Sequence, residues 1–273
     1  MSRREFQNAT SAVIIIASLT CVASASRADT SSAELAKKLS NPVASLISVP
    51  FQFNYDENIG PEEDGDKTVL NVQPVIPITL NQDWNLISRT IVPLISQHDI
   101  FPGAGSQTGL GDTVQSLFFS PKAPTAGGLI WGVGPVFLVP TASNDLLGGE
   151  KWGAGPTGLV LKQAGPWTYG VLANHIWSFA GTSSRTDISA TFVQPFLSYT
   201  TPTAWTYGLN SESTYDWKAD DLSMPLNLTL GKLVRFGKQP VSFTGGLRYW
   251  IDSAKNGPED FGLRFAVVLL FPK

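Results

Sequence analysis

From residue 46 to the end of the chain, apolar and polar side chains alternate with a period of two. In one of the clearest runs, Phe51, Phe53 and Tyr55 alternate with Gln52 and Asn54. Because successive side chains of a β-strand point to opposite faces of a sheet, each run predicts a strand with one apolar face. The runs are separated by Gly, Asn, Asp or Pro, and they predict twelve strands, at 46–55, 68–80, 84–96, 113–120, 128–140, 153–163, 167–179, 187–199, 204–217, 223–236, 240–251 and 260–271.

The lengths of these strands and of their connections favour a barrel that spans a membrane. Most runs are close to the roughly 9–11 residues that a tilted transmembrane strand needs, and an even number of antiparallel strands is typical of bacterial outer-membrane barrels. We therefore predict an all-β fold, a single antiparallel transmembrane β-barrel of about 12 strands over residues 45–273. Long or polar connections alternate with shorter ones, and the long set is 56–67, 97–112, 141–152, 180–186, 218–222 and 252–259.

The distribution of charge along the chain supports the same topology. Of the 22 acidic residues, 17 lie in or beside the long connections. Outer-membrane barrels carry long loops on the outer side and short turns on the periplasmic side, so the pattern predicts acidic outer loops. Basic residues mark the opposite end of the strands, at Lys122, Lys162, Arg235 and Lys238.

Composition excludes several other classes of protein. With 25 Gly and 19 Pro, the chain has too many helix-breaking residues for a helical protein. No run of about 18 apolar residues follows the N-terminus, which argues against helical membrane spans. The net charge of −3 gives little support for a nucleic-acid partner.

The N-terminus has the parts of an export signal. Two arginines precede the apolar run 12–19, and Ala23-Ser24-Ala25 fits an A-x-A cleavage site. A second candidate cleavage site ends at Ala28. We predict a cleaved signal peptide over 1–25, and with the barrel pattern this indicates the outer membrane of a Gram-negative bacterium.

Residues 26–44 predict a periplasmic segment that precedes the barrel. A short helix is expected over 30–41, ended by Pro42. Leu35 and Leu39 fall on one face of this helix, which makes them candidates for the contacts of a plug inserted in the barrel. A helix free in the periplasm is the alternative.

Polar residues on the second face of the strands are expected to line the lumen. Arg248 and Arg264 lie on neighbouring predicted strands, and one interpretation is a constriction that attracts an anion such as an aromatic acid. The alternative is that arginine and glutamate side chains pair across the lumen and merely solvate it. The candidates for lumen lining and selectivity, two of them apolar, are Arg89, Glu212, Arg248, Arg264, Phe192 and Phe196.

Prolines inside the predicted strands conflict with a regular ladder, because each lacks a backbone N–H. An unpaired backbone group in hydrocarbon costs several kcal/mol. We therefore expect these prolines at bulges, at strand ends or beside water or another partner. They are Pro50, Pro74, Pro77, Pro93, Pro135, Pro195 and Pro225.

No pattern in the sequence points to catalysis. The chain has two histidines, His98 and His175, and it lacks the G-x-S-x-G, H-E-x-x-H and Walker motifs. The acidic stretch 56–67 does not have the ligand spacing of an EF-hand. We expect a protein that is not an enzyme and that has no catalytic residues, no metal site and no cofactor.

Seven stretches of the chain form an ordered set of motifs. They are NPVASLISVPFQ (41–52), DWNLISRTIVPLISQ (83–97), TGLGDTVQSLFFSP (108–121), VGPVFLVPTAS (133–143), GEKWGAGPTG (149–158), RFGKQPVS (235–242) and LLFPK (269–273). This set resembles a family of Gram-negative outer-membrane proteins that is labelled "transporter" and is also named after phenol meta-pathway degradation. The resemblance implies an outer-membrane β-barrel that moves small, often aromatic, compounds.

Together these observations predict a channel for passive uptake of small hydrophobic or aromatic compounds. The alternative function is a non-conducting structural or adhesive barrel that acts through its acidic outer loops, and a secreted soluble β-protein is a third. The expected partners are outer-membrane lipids and lipopolysaccharide, the barrel-assembly machinery, and small hydrophobic or aromatic solutes. Nucleic acid is not expected.

Overall fold

The computed structural model of the protein describes the backbone of residues 25–272 and the side chains of residues 32–272. Apart from Ala25, the predicted signal peptide lies outside these residues. The helix α1 spans Ala25–Leu39, so it begins earlier and ends earlier than the predicted 30–41. Among the described residues, no helix is long and apolar enough to cross a lipid bilayer.

Local hydrogen bonds end the helix before Pro42. The backbone N–H of Ser40 still donates to the carbonyl of Ala36, at 3.2 Å. One residue later, the side-chain oxygen of Asn41 accepts a hydrogen bond from the backbone N–H of Val43 at 3.0 Å, which replaces a helical bond with a turn. The chain therefore leaves the helix at Leu39 and enters the first strand eight residues later.

Fifteen β-segments follow the helix and form one antiparallel sheet. They are β1 (Ile47–Ile59), β2 (Gly65–Val72), β3 (Val75–Thr79), β4 (Trp84–His98), β5 (Ser106–Leu110), β6 (Thr113–Pro121), β7 (Leu129–Val139), β8 (Lys151–Ala164), β9 (Trp167–Gly181), β10 (Ser189–Thr200), β11 (Trp205–Ser211), β12 (Ser213–Asp216), β13 (Asp221–Phe236), β14 (Gln239–Asp252) and β15 (Phe261–Phe271).

The first and last strands close the sheet into a barrel. β1 pairs with β15 from Ile47 opposite Phe271 to Tyr55 opposite Leu263. Three pairs of segments, β2 with β3, β5 with β6 and β11 with β12, are each one strand with an interruption. The fifteen segments therefore make a closed barrel of twelve strands, which confirms the predicted fold class and strand number.

Five of the seven prolines lie at, opposite or beside the interruptions, whereas Pro77 lies inside β3 and Pro135 lies inside β7, opposite Pro156. Pro74 separates β2 from β3 without changing the register with β4. Between β5 and β6 the register with β4 shifts by one residue at Gly111 and Asp112. The N–H of Gly111 donates to the carbonyl of Pro93 at 2.9 Å, so a bulge satisfies the backbone there. In these strands proline changes the local ladder and leaves the barrel closed.

The two faces of the strands differ in exposure with a period of two. On β15, Leu263 and Phe265 are 55% and 49% exposed, whereas the side chains between and after them, Arg264 and Ala266, are 5% and 8% exposed. The apolar face therefore points outward around the barrel, and the face with polar residues points into the lumen. An outward apolar band is what a barrel presents to lipid.

The connections lie alternately at the two ends of the barrel, which we call the loop side and the turn side. β1 continues to Ile59 and β2 begins at Gly65, so the predicted first loop, 56–67, was too long. The residues at both ends of this predicted loop continue the alternation of the strands, with charged residues at positions where the strands otherwise carry neutral polar ones. The loop side comprises 60–64, 99–105, 140–150, 182–188, 217–220 and 253–260, and the turn side comprises 80–83, 122–128, 165–166, 201–204 and 237–238.

Candidate lumen site

Arg264 lies near the middle of β15 and points across the lumen to Glu212. Its Nη1 and Nη2 atoms donate to the two carboxylate oxygens of Glu212 at 2.9 and 2.6 Å. The third donor, Nε, binds the side-chain oxygen of Asn54 on β1 at 2.8 Å. This bidentate arrangement is the strongest geometry for an arginine–carboxylate pair. Each of the two charges is therefore compensated by the other.

Glu212 reaches Arg264 from the interruption between β11 and β12. The register of these two segments with β13 places Pro225 opposite Glu212. Their register with β10 places Gln194 opposite Glu212 on the other side, next to Pro195. Because proline has no N–H to donate, the ladder is interrupted at Glu212 while the register is kept.

Arg248, on β14 beside β15, has different partners. Its Nε lies 3.2 Å from the carboxylate of Asp56, and its guanidinium lies over the ring of Trp250, 4.5 Å from the centroid. The indole N–H of Trp250 donates to the same carboxylate at 2.9 Å. Lys67 lies directly opposite Asp56 on β2. Arg248 is therefore held at the wall, and it is separate from the Arg264 pair.

Arg89, on β4, is the fourth predicted charged residue of the lumen. Its Nη2 donates to the side-chain oxygen of Gln73 at 3.1 Å. Within the part of the chain that the structure describes, no carboxylate lies within 4.0 Å of its guanidinium. Arg89 therefore differs from Arg248 and Arg264, which both contact a carboxylate.

Two cavities in the lumen meet at Arg89. The loop-side cavity has a volume of about 320 Å³ and is lined by Arg89, Glu212, Phe192 and other residues. The helix-side cavity has a volume of about 160 Å³ and extends to the end of α1. Gln73, Arg89 and Gln194 line both cavities, so these three side chains separate them.

The two predicted aromatic residues lie beside an apolar cluster that fills the turn-side half of the lumen. Phe192 and Phe196 pack against it while remaining partly exposed, and Phe192 also lines the loop-side cavity. The lumen is therefore apolar toward the turn side and mixed around Arg89. The buried members of the cluster are Val43, Ile87, Phe118, Leu159, Leu161 and Leu172.

The predicted plug residues contact the inner wall of the barrel at the turn side. Leu35 is buried in a cluster with Leu233, Leu270 and other wall residues, and Leu39 packs against that cluster. The side-chain amide of Gln163 donates to the carbonyl of Lys37 at 2.9 Å. The helix therefore lies in the turn-side mouth of the barrel.

The chain between the helix and β1 lies deeper in the lumen. Val43 is 5% exposed and belongs to the apolar cluster with Ile87 and Phe118. The side-chain amide of Asn85 donates to the hydroxyl of Ser45 at 2.8 Å. Residues 41–46, which we call the closing segment, thus fill the lumen on the turn side of the helix-side cavity.

Two ion pairs lie at the loop-side rim of the barrel. Nζ of Lys151 lies 2.9 Å from the carboxylate of Asp187, and this hydrogen bond lowers the pKa of that carboxyl. Nε of Arg185 lies 3.6 Å from the carboxylate of Glu150. The side chains of Arg185 and Glu150 are each 33% exposed, so water screens this pair more than it screens Arg264 and Glu212.

Several contacts of the site were not predicted from the sequence. Asp56 was assigned to the outer loop, although it continues the inward positions Gln52 and Asn54, and that parity could have identified it. Gln73 lies on an inward position of a predicted strand, but no sequence signal marked it as the partner of Arg89. The inward position of Val43 depends on the path of the closing segment, which no periodicity describes.

Comparison with known proteins shows where this fold occurs. No protein-family profile and no curated protein sequence matches the chain. The crystal structure of an outer-membrane channel from Pseudomonas putida F1 superposes with a TM-score of 0.66 at 15% identity, over 83% of this chain and 96% of that chain. The outer-membrane phospholipase of Salmonella typhi superposes with a TM-score of 0.49 at 9% identity, over 82% of this chain and 91% of that chain. The chain therefore shares the fold of the Pseudomonas putida outer-membrane channel.

Proposed function

We propose that this protein is an outer-membrane channel for passive uptake of small hydrophobic or aromatic compounds. The observation that carries the proposal is the lumen itself, in which a mixed polar and apolar cavity of about 320 Å³ lies above a second one of about 160 Å³. Ligand sites for small molecules have volumes of about 300–1,000 Å³. The outward apolar face of the strands supports residence in a bilayer.

In this proposal the N-terminal residues close the channel. The helix occupies the turn-side mouth through Leu35 and Leu39, and the closing segment places Val43 in the apolar cluster. Both contacts are made by residues that precede β1, so they can leave without breaking a strand. Uptake then requires the displacement of residues that form no part of the barrel wall.

Deletion of residues 29–44 tests this function. Because the deleted residues contribute Leu35, Leu39 and Val43 to the lumen, we expect the variant to show discrete current steps in a planar bilayer. The exposed residue Glu34 gives a matched control, and E34Q is expected to behave as the unmodified chain. Heat-modifiable migration in gels verifies that each variant has folded.

One observation favours the alternative function. The apolar cluster around Phe118, Leu161 and Leu172 fills the turn-side half of the lumen, as expected for a barrel that never conducts. The same deletion separates the two functions. A folded deletion variant that inserts in the bilayer and carries no current would support a structural or adhesive barrel acting through its loops.

A further inference from the structure

Only some of the cations in the lumen are available to a ligand. Both Nη atoms of Arg264 donate to Glu212, and Arg248 lies between Asp56 and the ring of Trp250. An anion that bound both Nη atoms of Arg264 would have to displace the carboxylate of Glu212, and an anion at Arg248 would lie beside the carboxylate of Asp56 and be repelled by it. Neither position therefore favours an external anion.

Arg89 differs because its partner is a neutral amide. The carbonyl oxygen of Gln73 accepts one hydrogen bond at 3.1 Å, and the guanidinium has five N–H donors. A carboxylate is a stronger acceptor than an amide and can accept two parallel bonds from arginine. A solute carboxylate can thus replace Gln73 on Arg89 without breaking an ion pair.

The walls of the loop-side cavity divide into a polar and an apolar part. Gln73 and Gln194 lie beside Arg89, where the two cavities meet. Ile91, Ile176 and Phe192 line the same cavity and offer apolar surface. A ligand that fits both parts has one carboxylate and a compact apolar body.

The charges around the cavity limit the ligand to a single negative charge. Glu212 lines the same cavity as Arg89 and opposes a second anionic group. A cationic ligand is not favoured, because both oxygens of Glu212 already accept hydrogen bonds from Arg264. The cavity therefore suits a monoanion better than a dianion or a cation.

We infer that Arg89 binds the carboxylate of small monoanionic solutes with an apolar body, such as aromatic carboxylates, in the loop-side cavity. This inference rests on the proposed channel function and names the class of solute that the channel carries. Because Gln73, Arg89 and Gln194 line both cavities, a carboxylate that replaces Gln73 on Arg89 breaks one contact among the side chains that separate them. Binding then weakens the boundary that the solute must cross to reach the helix-side cavity.

Equilibrium dialysis with the folded full-length protein in detergent tests the inference. The probes are benzoate and benzyl alcohol, which have similar shape and differ in charge. We expect R89Q to bind benzoate about tenfold more weakly or worse, since a hydrogen bond to a charged group is lost, and to bind benzyl alcohol unchanged. R185Q removes the same charge at the loop-side rim and is expected to leave both affinities unaltered.

The variant R89K keeps the test valid if R89Q does not fold. Lysine retains the charge and loses the planar pair of donors, so benzoate binding that is weaker than in the unmodified chain, with benzyl alcohol binding unchanged, supports the inference. Benzoate affinity that is equal in all variants, or absent from the unmodified chain, overturns it. Dialysis does not require conduction, so current through the 29–44 deletion variant still decides the channel function separately.

Discussion

The guanidinium of Arg264 connects three strands that are not consecutive in the chain. It lies on β15, binds Asn54 on the neighbouring β1, and reaches across the lumen to Glu212. The Arg264 side chain is 4% exposed and that of Glu212 is 21% exposed, so water screens this pair poorly. When one partner of such a pair is removed, the other is left as an uncompensated buried charge.

Replacing Glu212 with glutamine tests this arrangement. We expect E212Q to lower the free energy of unfolding by about 3–5 kcal/mol, because Arg264 keeps its charge and loses its carboxylate. Denaturant titration in lipid vesicles measures the change. E150Q removes a carboxylate from the more exposed pair with Arg185 at the rim and is expected to cost no more than about 1 kcal/mol. Equal losses in the two variants would contradict the importance of the lumen pair.

At the scale of single residues, the sequence predicted which side chains point into the lumen better than it predicted which residues they contact there. Alternation alone identified Arg248 and Arg264 as inward residues, because parity along a strand is local. Pairing of arginine with glutamate across the lumen was one of the two interpretations of the sequence, but alternation did not indicate which arginine contacts Glu212, since β15 and the β11–β12 strand are separated by β13 and β14 in the barrel. Contacts across a lumen depend on barrel diameter and strand stagger, which the spacing of residues does not encode.

At the scale of elements, the closing segment is held without a β-ladder. Val43 packs with Ile87 and Phe118, and Leu46 and Ala44 pack in the cluster around Leu35. The hydrogen bond from Asn85 to Ser45 attaches the segment to β4. Elements without backbone pairing in a ladder open at lower free energy than paired strands, so we expect this segment to be displaced more easily than the barrel wall.

The variant V43D is expected to open the lumen while the strands stay intact. A carboxylate cannot remain buried among Ile87 and Phe118 without a partner, so the closing segment should leave the cluster. We expect more frequent current steps in planar bilayers than for the unmodified chain. A126D adds the same charge to an exposed turn at the same end of the barrel and should have no effect. Equal currents in both variants would argue that the segment does not close the lumen.

The strands could be predicted because apolar and polar residues alternate regularly along them. The interruptions within the strands could not be predicted. All twelve predicted strands are present, and most of their ends are displaced by a few residues. The exception is the strand made of β5 and β6, which begins at Ser106 within the predicted connection 97–112, because the bulge at Gly111 and Asp112 breaks its alternation. The bulge at Gly111 and Asp112 and the break at Glu212 depend on which residue lies on the neighbouring strand. The early start of α1 was missed because a helix can continue through Ser31, a residue that in isolation is typical of a helix N-cap.

At the scale of the whole molecule, the outer surface is the strongest physical indication of a membrane. Large apolar side chains are exposed on every side of the barrel, among them Leu228 at 61% and Phe236 at 63%. Monomeric soluble proteins rarely expose contiguous apolar patches larger than a few hundred Å². A band that follows all twelve strands is therefore adapted to lipid.

The depth of this band can be measured with two substitutions on one strand. Leu228 lies in the middle of β13 and Phe236 at its turn-side end, and the two are almost equally exposed. In lipid vesicles we expect L228R to cost about 2–4 kcal/mol of unfolding free energy and F236R about 0–1 kcal/mol, as found for arginine at the midplane and at the interface. Similar small losses at both positions would contradict a membrane-spanning orientation of β13.

The pairing of β1 with β15 has a consequence for biogenesis. β1 pairs with β2 on one side and with β15, the last strand, on the other. All the strands between them must therefore be synthesised before the barrel wall can close. A chain that lacks the 11 residues of β15 would expose the unpaired backbone groups of two edge strands to hydrocarbon, where no water is present to bind them. Truncated chains therefore have no stable inserted state and remain accessible to proteases, so the bilayer retains only complete barrels.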